Sequence, residues 1–147
     1  MDYANALEVA ICYIGISKKT EYEVRQKLIK KKVEAHIIDK VIEYLKELNY
    51  INDKAYVDAY IVQNMRLLKY SIKEITYKLL QKGIKKDIME DKLIILAKKD
   101  YENKVIKKII NSKGQRLDEL KLKGYIYRRG FKDMSLFLEE WFYANTT

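Results

Sequence analysis

The chain has 147 residues, 48% hydrophobic and 35% charged, with a net charge of +9, no proline and five glycines. That is enough apolar material for a folded core, with no strong helix breaker and a bias toward acidic partners. A single cysteine and a single histidine exclude a disulfide framework, a thiolate metal cage and a two-histidine metal motif.

The longest uncharged apolar run, Val9 to Ile16, falls far short of the roughly twenty residues a membrane span needs. No basic region stands ahead of it, so no secretory signal is read and a soluble cytoplasmic chain is expected. Apolar spacing predicts a first helix over about Tyr3–Ile14. Thr20-x-x-Glu23 then reads as a capping box, in which the hydroxyl accepts from the third amide and the carboxylate reaches back to the cap amide. Val24 and Leu28 follow on one face. Ile37, Ile38, Val41, Ile42, Leu45 and Leu48 recur at helical spacing and predict a third helix. A fourth runs over about Asp53–Leu68, capped by Asn52 or Asp53. Ser71-x-x-Glu74 is a second capping box, leading into Ile75 and Leu79. Ile88, Met89, Leu93 and Leu96 mark the next helix, and another is predicted over about Asp100–Ile110. Asp118 caps a helix carrying Leu122 and Ile126, in which Gly124 costs about 1 kcal/mol relative to Ala. Leu136, Phe137, Trp141 and Phe142 mark the last.

These elements repeat. Thr20, Glu23, Val24, Lys27, Leu28, Lys31 and Val33 align with Ser71, Glu74, Ile75, Lys78, Leu79, Lys82 and Ile84 at a constant offset of 51. A weaker copy lies 47 further on, at Leu122, Ile126, Arg129, Gly130 and Phe131. Gly83 and Gly130 stand where a helix ends in a left-handed residue, a place Lys32 holds in the first copy. Ile84 and Phe131 would then fold back on the helix just ended. The expected fold is all-α: three tandem three-helix repeats, about 3–50, 52–98 and 100–144, in one unit spanning 1–147.

Charge is unevenly spread. There are 9 cations against 8 anions in residues 1–52, 10 against 6 in 53–98, and 11 against 7 in 99–147; 25 of the 30 cations are Lys. Lysine is a hydrated point charge, so its dominance favours non-specific electrostatic contact over the forked contacts by which Arg reads bases. Each middle helix ends in cations, which makes Lys31, Lys82, Lys85, Lys86, Arg128, Arg129 and Lys132 the candidate partner- or nucleic-acid-binding residues. The same placement complements helix dipoles. Tyr13, Tyr44, Tyr56, Tyr60 and Tyr77 could stack on bases, but at helical spacing among Ile and Leu they are expected to bury their rings. Cys12 is expected as a packed core thiol and His36 as a surface or helix-flank residue. No glycine-rich phosphate loop or nucleophile–base pairing is seen, so no enzyme, cofactor, metal or small-molecule substrate is expected.

The stretch Leu48-Asn49-Tyr50-Ile51-Asn52-Asp53-Lys54-Ala55-Tyr56-Val57-Asp58-Ala59-Tyr60, followed by Ile75-x-x-x-Leu79-x-x-Lys82-Gly83-Ile84, resembles the RecX family of recombination regulators. Thr20-x-x-Glu23-Val24-Arg25-x-Lys27-Leu28 looks like the family's opening repeat, and Tyr125-Ile126-Tyr127-Arg128-Arg129-Gly130-Phe131 is similar to its closing signature. Lys32, Lys69-Tyr70 and Gly124 depart from the pattern. The resemblance covers about residues 4–143. It implies an elongated, curved array and a non-enzymatic role: binding the RecA recombinase, or its filament on single-stranded DNA, and inhibiting its ATPase, strand exchange and coprotease activity in recombination, DNA repair and the SOS response. It is read as a monomer, with direct DNA contact open and no membrane partner. The alternative reading is a general basic helical DNA- or RNA-binding module with no recombinase partner.

Overall fold

A computed structural model describes residues 1–114 and 116–131. Among the described residues there are eight α-helices and no strand: α1 (Tyr3–Ile16), α2 (Glu21–Lys30), α3 (Ala35–Glu47), α4 (Asp53–Leu67), α5 (Ile72–Gln81), α6 (Lys86–Lys98), α7 (Tyr101–Lys113) and α8 (Glu119–Arg128). These are two full helical triplets and two helices of a third. Leu136, Phe137, Trp141, Phe142 and the candidate Lys132 lie outside the described residues. The described residues form two compact units, Met1–Ile61 with Leu79–Glu90, and Val62–Lys78 with those from Asp91 to Phe131. The middle triplet is shared between them.

The middle helices α2, α5 and α8 share one construction. Their caps are Thr20, Ser71 and Asp118, and twelve residues later Lys32, Gly83 and Gly130 take left-handed φ of 61°, 79° and 89°. In each turn the left-handed residue's amide donates to the carbonyl three back: Lys32 to Ile29 (2.9 Å), Gly83 to Leu80 (3.0 Å) and Gly130 to Tyr127 (2.9 Å). The next amide, of Val33 or Ile84, reaches five back to Leu28 or Leu79 at 3.1 Å. This is the Schellman arrangement, which satisfies carbonyls a helix end leaves open. Val33, Ile84 and Phe131, one residue on, are buried. Lys32 adopts the left-handed state with a Cβ, a conformation that costs an L-residue about 1 kcal/mol or more.

Two positions of each middle helix, and the residue just after its terminal turn, face inward. They hold Val24, Leu28 and Val33, then Ile75, Leu79 and Ile84, then Leu122, Ile126 and Phe131, all buried. In the first triplet they join Ala6 and Ala10 of α1 and Ile38, Val41, Ile42 and Leu45 of α3 in one core, with Ile51 beyond. Complete burial of a Leu or Ile side chain contributes about 1.5–3 kcal/mol. The inward stripe of α1 is only Ala6 and Ala10, four apart. Cys12 lies two residues past Ala10, about 200° further round the helix, and is exposed. The expectation of a packed core thiol is therefore corrected: hydrophobic neighbours in α1 did not mark its buried face. His36 is exposed beside Glu34, with 3.4 Å between Nδ1 and Oε2. No helix among the described residues is long and apolar enough to cross a membrane.

Candidate partner-binding surface

The capping residues make a second bond that joins successive repeats. Thr20 Oγ1 accepts from the Glu23 amide at 3.2 Å and donates to the Lys82 carbonyl, at the end of α5, at 2.6 Å. Ser71 Oγ accepts from the Glu74 amide at 3.1 Å and donates to the Arg129 carbonyl, at the end of α8, at 2.7 Å. Both hydroxyls are fully buried. The box carboxylates close the other half, accepting from the Thr20 and Ser71 amides at 3.0 Å. A carboxylate on the helix that opens the next repeat caps the same turn: Asp53 of α4 accepts from the Glu21 amide and Glu102 of α7 from the Ile72 amide, each at 3.0 Å. Each joint lies inside one compact unit.

The third copy differs. Asp118 caps α8 by accepting from the Lys121 amide at 2.8 Å. A carboxylate has no proton to give a carbonyl, and Lys121 stands where Glu23 and Glu74 stand. The groups that join one repeat to the next are replaced at this position.

An ion pair reinforces each joint, unequally. Lys82 Nζ lies 3.9 Å from Glu23. Arg129 grips Glu74 with Nη2 at 2.8 Å and Nε at 3.2 and 3.3 Å, and also donates to the Lys69 carbonyl. This forked geometry suits guanidinium and is beyond an ammonium. Burial pushes Glu74 up, but hydrogen bonds from Arg129 and Ser71 outweigh it, and the net shift is downward from 4.5. Burial pulls Lys82 down, and Tyr56 with Glu23 outweighs that, for a net shift upward from 10.5.

A lowered folded-state carboxylate pKa adds stability that is complete above the unfolded value and is lost as pH falls through the folded one. The stability gap between wild type and Glu74→Gln, followed by urea midpoint, is therefore expected to be flat above about pH 4.5 and to close below it. A gap that widens in acid would contradict the pairing.

The seven sequence candidates separate on this geometry. Lys82 and Arg129 are half-buried and engaged in the joints. Lys31, Lys85, Lys86 and Arg128 are exposed, and Lys132 lies outside the described residues. Tyrosines take up further charge. Lys19 and Lys27 lie 4.7 and 5.2 Å from the Tyr13 ring centre, Lys69 and Lys78 5.4 and 4.5 Å from Tyr70, and Lys113 4.5 Å from Tyr125. Such contacts contribute about 0.5–1 kcal/mol at exposed sites. Tyr56 and Tyr60 stack with centres 6.2 Å apart. Tyr44 and Tyr77 are exposed, against the expectation of buried rings. Sequence reading missed Asp53 and Glu102 as joint acceptors. Their shared signal is an acid in the first turn of the helix that opens the next repeat. Among the described residues no group of three or more His, Cys, Asp or Glu is placed to hold a metal ion.

Known proteins share this architecture. Residues 6–45, covering most of α1–α3, match the family model described as RecX, first three-helix domain. The chain is 37% identical over 131 residues to the regulatory protein RecX of Clostridium beijerinckii, covering 86% of this chain and 61% of that protein. It is 32% identical over 141 residues to that of Clostridium acetobutylicum, covering 88% and 64%. The chain thus spans about three-fifths of the length of these two relatives. The crystal structure of RecX from Lactobacillus salivarius superposes with a TM-score of 0.75 at 27% identity, over 89% of each chain. A second crystal structure, of a regulatory protein RecX, has a TM-score of 0.80 at 20% identity and supports the fold. With its first bundle matched by the family's own first-domain model, and its sequence and helices matched well beyond it, the chain belongs to the RecX family.

Proposed function

We propose that the protein binds the RecA recombinase and its filament on single-stranded DNA, as a monomer in the cytoplasm. It restrains ATP hydrolysis, strand exchange and coprotease activity, and so acts in recombination, DNA repair and the SOS response. Family membership carries this reading. The geometry adds the division between engaged and exposed cations. Lys82 and Arg129 serve the joints, so the partner contact is assigned to Lys31, Lys85, Lys86 and Arg128, which lie at or just beyond the ends of the middle helices. One repeated unit carrying exposed cations suits a repetitive, negatively charged partner.

ATP hydrolysis by RecA on single-stranded DNA tests this directly. Several-fold molar excess of wild type is expected to lower the rate. Charge reversal of Lys31, Lys85, Lys86 and Arg128 together is expected to weaken inhibition at least tenfold, with helical circular dichroism unchanged. An unaltered rate with wild type would overturn the reading. Tight binding to naked polynucleotide with a steep salt slope, and no preference for RecA-coated DNA, would favour the general nucleic-acid module instead.

A further inference from the structure

The middle helices share a solvent-facing position that the fold does not explain. It lies nine residues after the cap and three before the left-handed residue, and holds Ile29, Leu80 and Tyr127. All three are exposed, at 53%, 40% and 78%. The other positions that are apolar in all three helices are the buried ones already described. The exposed apolar residue two after the cap in α2, Tyr22, has a role of its own, because its side chain lies over Gly83 in the first joint. Position nine is the one place on these helices where a large apolar side chain faces water in every copy.

We propose that Ile29, Leu80 and Tyr127 are three copies of one anchor, seated in apolar recesses of an acidic protein surface. This rests on the reading above, in which that surface belongs to the recombinase filament. Exposed cations stand close in sequence to each copy: Lys31 after Ile29, Lys85 and Lys86 after Leu80, and Arg128 after Tyr127. Their charge selects an acidic partner. The anchors select protein over nucleic acid. Phosphates are met by Lys and Arg, and bases stack on aromatic rings, whereas Ile and Leu do neither. Apolar anchors within a charged rim are the usual source of binding energy between proteins. Three linked weak anchors multiply in affinity when engaged together.

The test compares Ile29→Ser, Leu80→Ser, Tyr127→Ser and the triple variant with wild type, using RecA ATPase inhibition on single-stranded DNA beside binding to naked single-stranded DNA. Leu120→Ser is the control, since Leu120 is 81% exposed on α8 but lies at another position. Each single variant is expected to raise the half-inhibitory concentration three- to tenfold, and the triple variant more than thirtyfold. Leu120→Ser should stay within twofold, and naked-DNA affinity and helical circular dichroism should be unchanged. The single variants carry the test if the triple variant loses helicity. Wild-type inhibition that the substitutions leave untouched overturns the anchors while the recombinase reading stands. A parallel loss of naked-DNA affinity overturns them in favour of nucleic-acid contact. A wild-type protein inert toward RecA overturns the functional reading and the anchors with it.

Discussion

Gly83→Ala is expected to destabilise the protein by about 3 kcal/mol or more, and Gly130→Ala by about half as much. Both glycines are left-handed, at φ 79° and 89°, which alone costs an alanine about 1–2 kcal/mol. The difference lies in what a Cβ would meet. At Gly83 it would sit 2.1 Å from Cβ and 2.3 Å from Cγ of Tyr22. Tyr22 Cβ is fixed to the first turn of α2 and no rotamer change moves it aside. The turn itself must move, and with it the 2.6 Å bond from Thr20 to the Lys82 carbonyl. At Gly130 the nearest atom is Lys73 Cδ at 2.8 Å, which a rotamer change can relocate, although Lys73 Cβ at 3.1 Å cannot follow. Urea midpoints measure both losses. Equal losses, or less than about 1 kcal/mol at Gly83, would contradict the close approach of these segments.

Thr20→Val and Ser71→Ala are each expected to cost about 2–3 kcal/mol, and Asp118→Ala only about 1 kcal/mol. All three remove an N-cap. At Thr20 and Ser71 the same hydroxyl also donates to a carbonyl of the next repeat. Its removal takes both bonds from a fully buried site, and an unsatisfied buried polar group costs about 1–3 kcal/mol in itself. Asp118 is exposed, so water replaces its cap. Chemical denaturation of the three variants would show two large losses and one small one. A uniform loss near 1 kcal/mol would reduce the joints to ordinary caps.

What was legible in the sequence follows from range. Thr20-x-x-Glu23 and Ser71-x-x-Glu74 act within four residues, and both capping boxes are present as read. Asn52, one of two candidates for the next cap, accepts from the Ala55 amide at 3.0 Å. The left-handed positions Lys32, Gly83 and Gly130 are equally local. The joints are not, because their partners lie 62 and 58 residues apart. Nothing local separates Lys82 from Lys85, or Arg129 from Arg128. Only the fold shows that Lys82 and Arg129 meet a preceding repeat's carboxylate while Lys85 and Arg128 meet water. Cys12 failed for a related reason. Most of α1 is apolar, so composition cannot choose its inner face, and the choice falls to Ala6 and Ala10, small enough for close packing. The offsets of 51 and 47 that align the caps also align Ile29, Leu80 and Tyr127, but their exposure becomes visible only in three dimensions.

At the centre of this account is a joint used twice, in which the capping box of one repeat holds the end of the next repeat's middle helix. A pair of double-mutant cycles tests it most directly, with Glu74→Gln and Arg129→Met in one and Glu23→Gln and Lys82→Met in the other. Coupling of about 1.5 kcal/mol is expected between Glu74 and Arg129, whose contact is forked and half-buried. Coupling below about 0.5 kcal/mol is expected between Glu23 and Lys82, which are 3.9 Å apart. Coupling near zero at both pairs, or the reverse order, would contradict it.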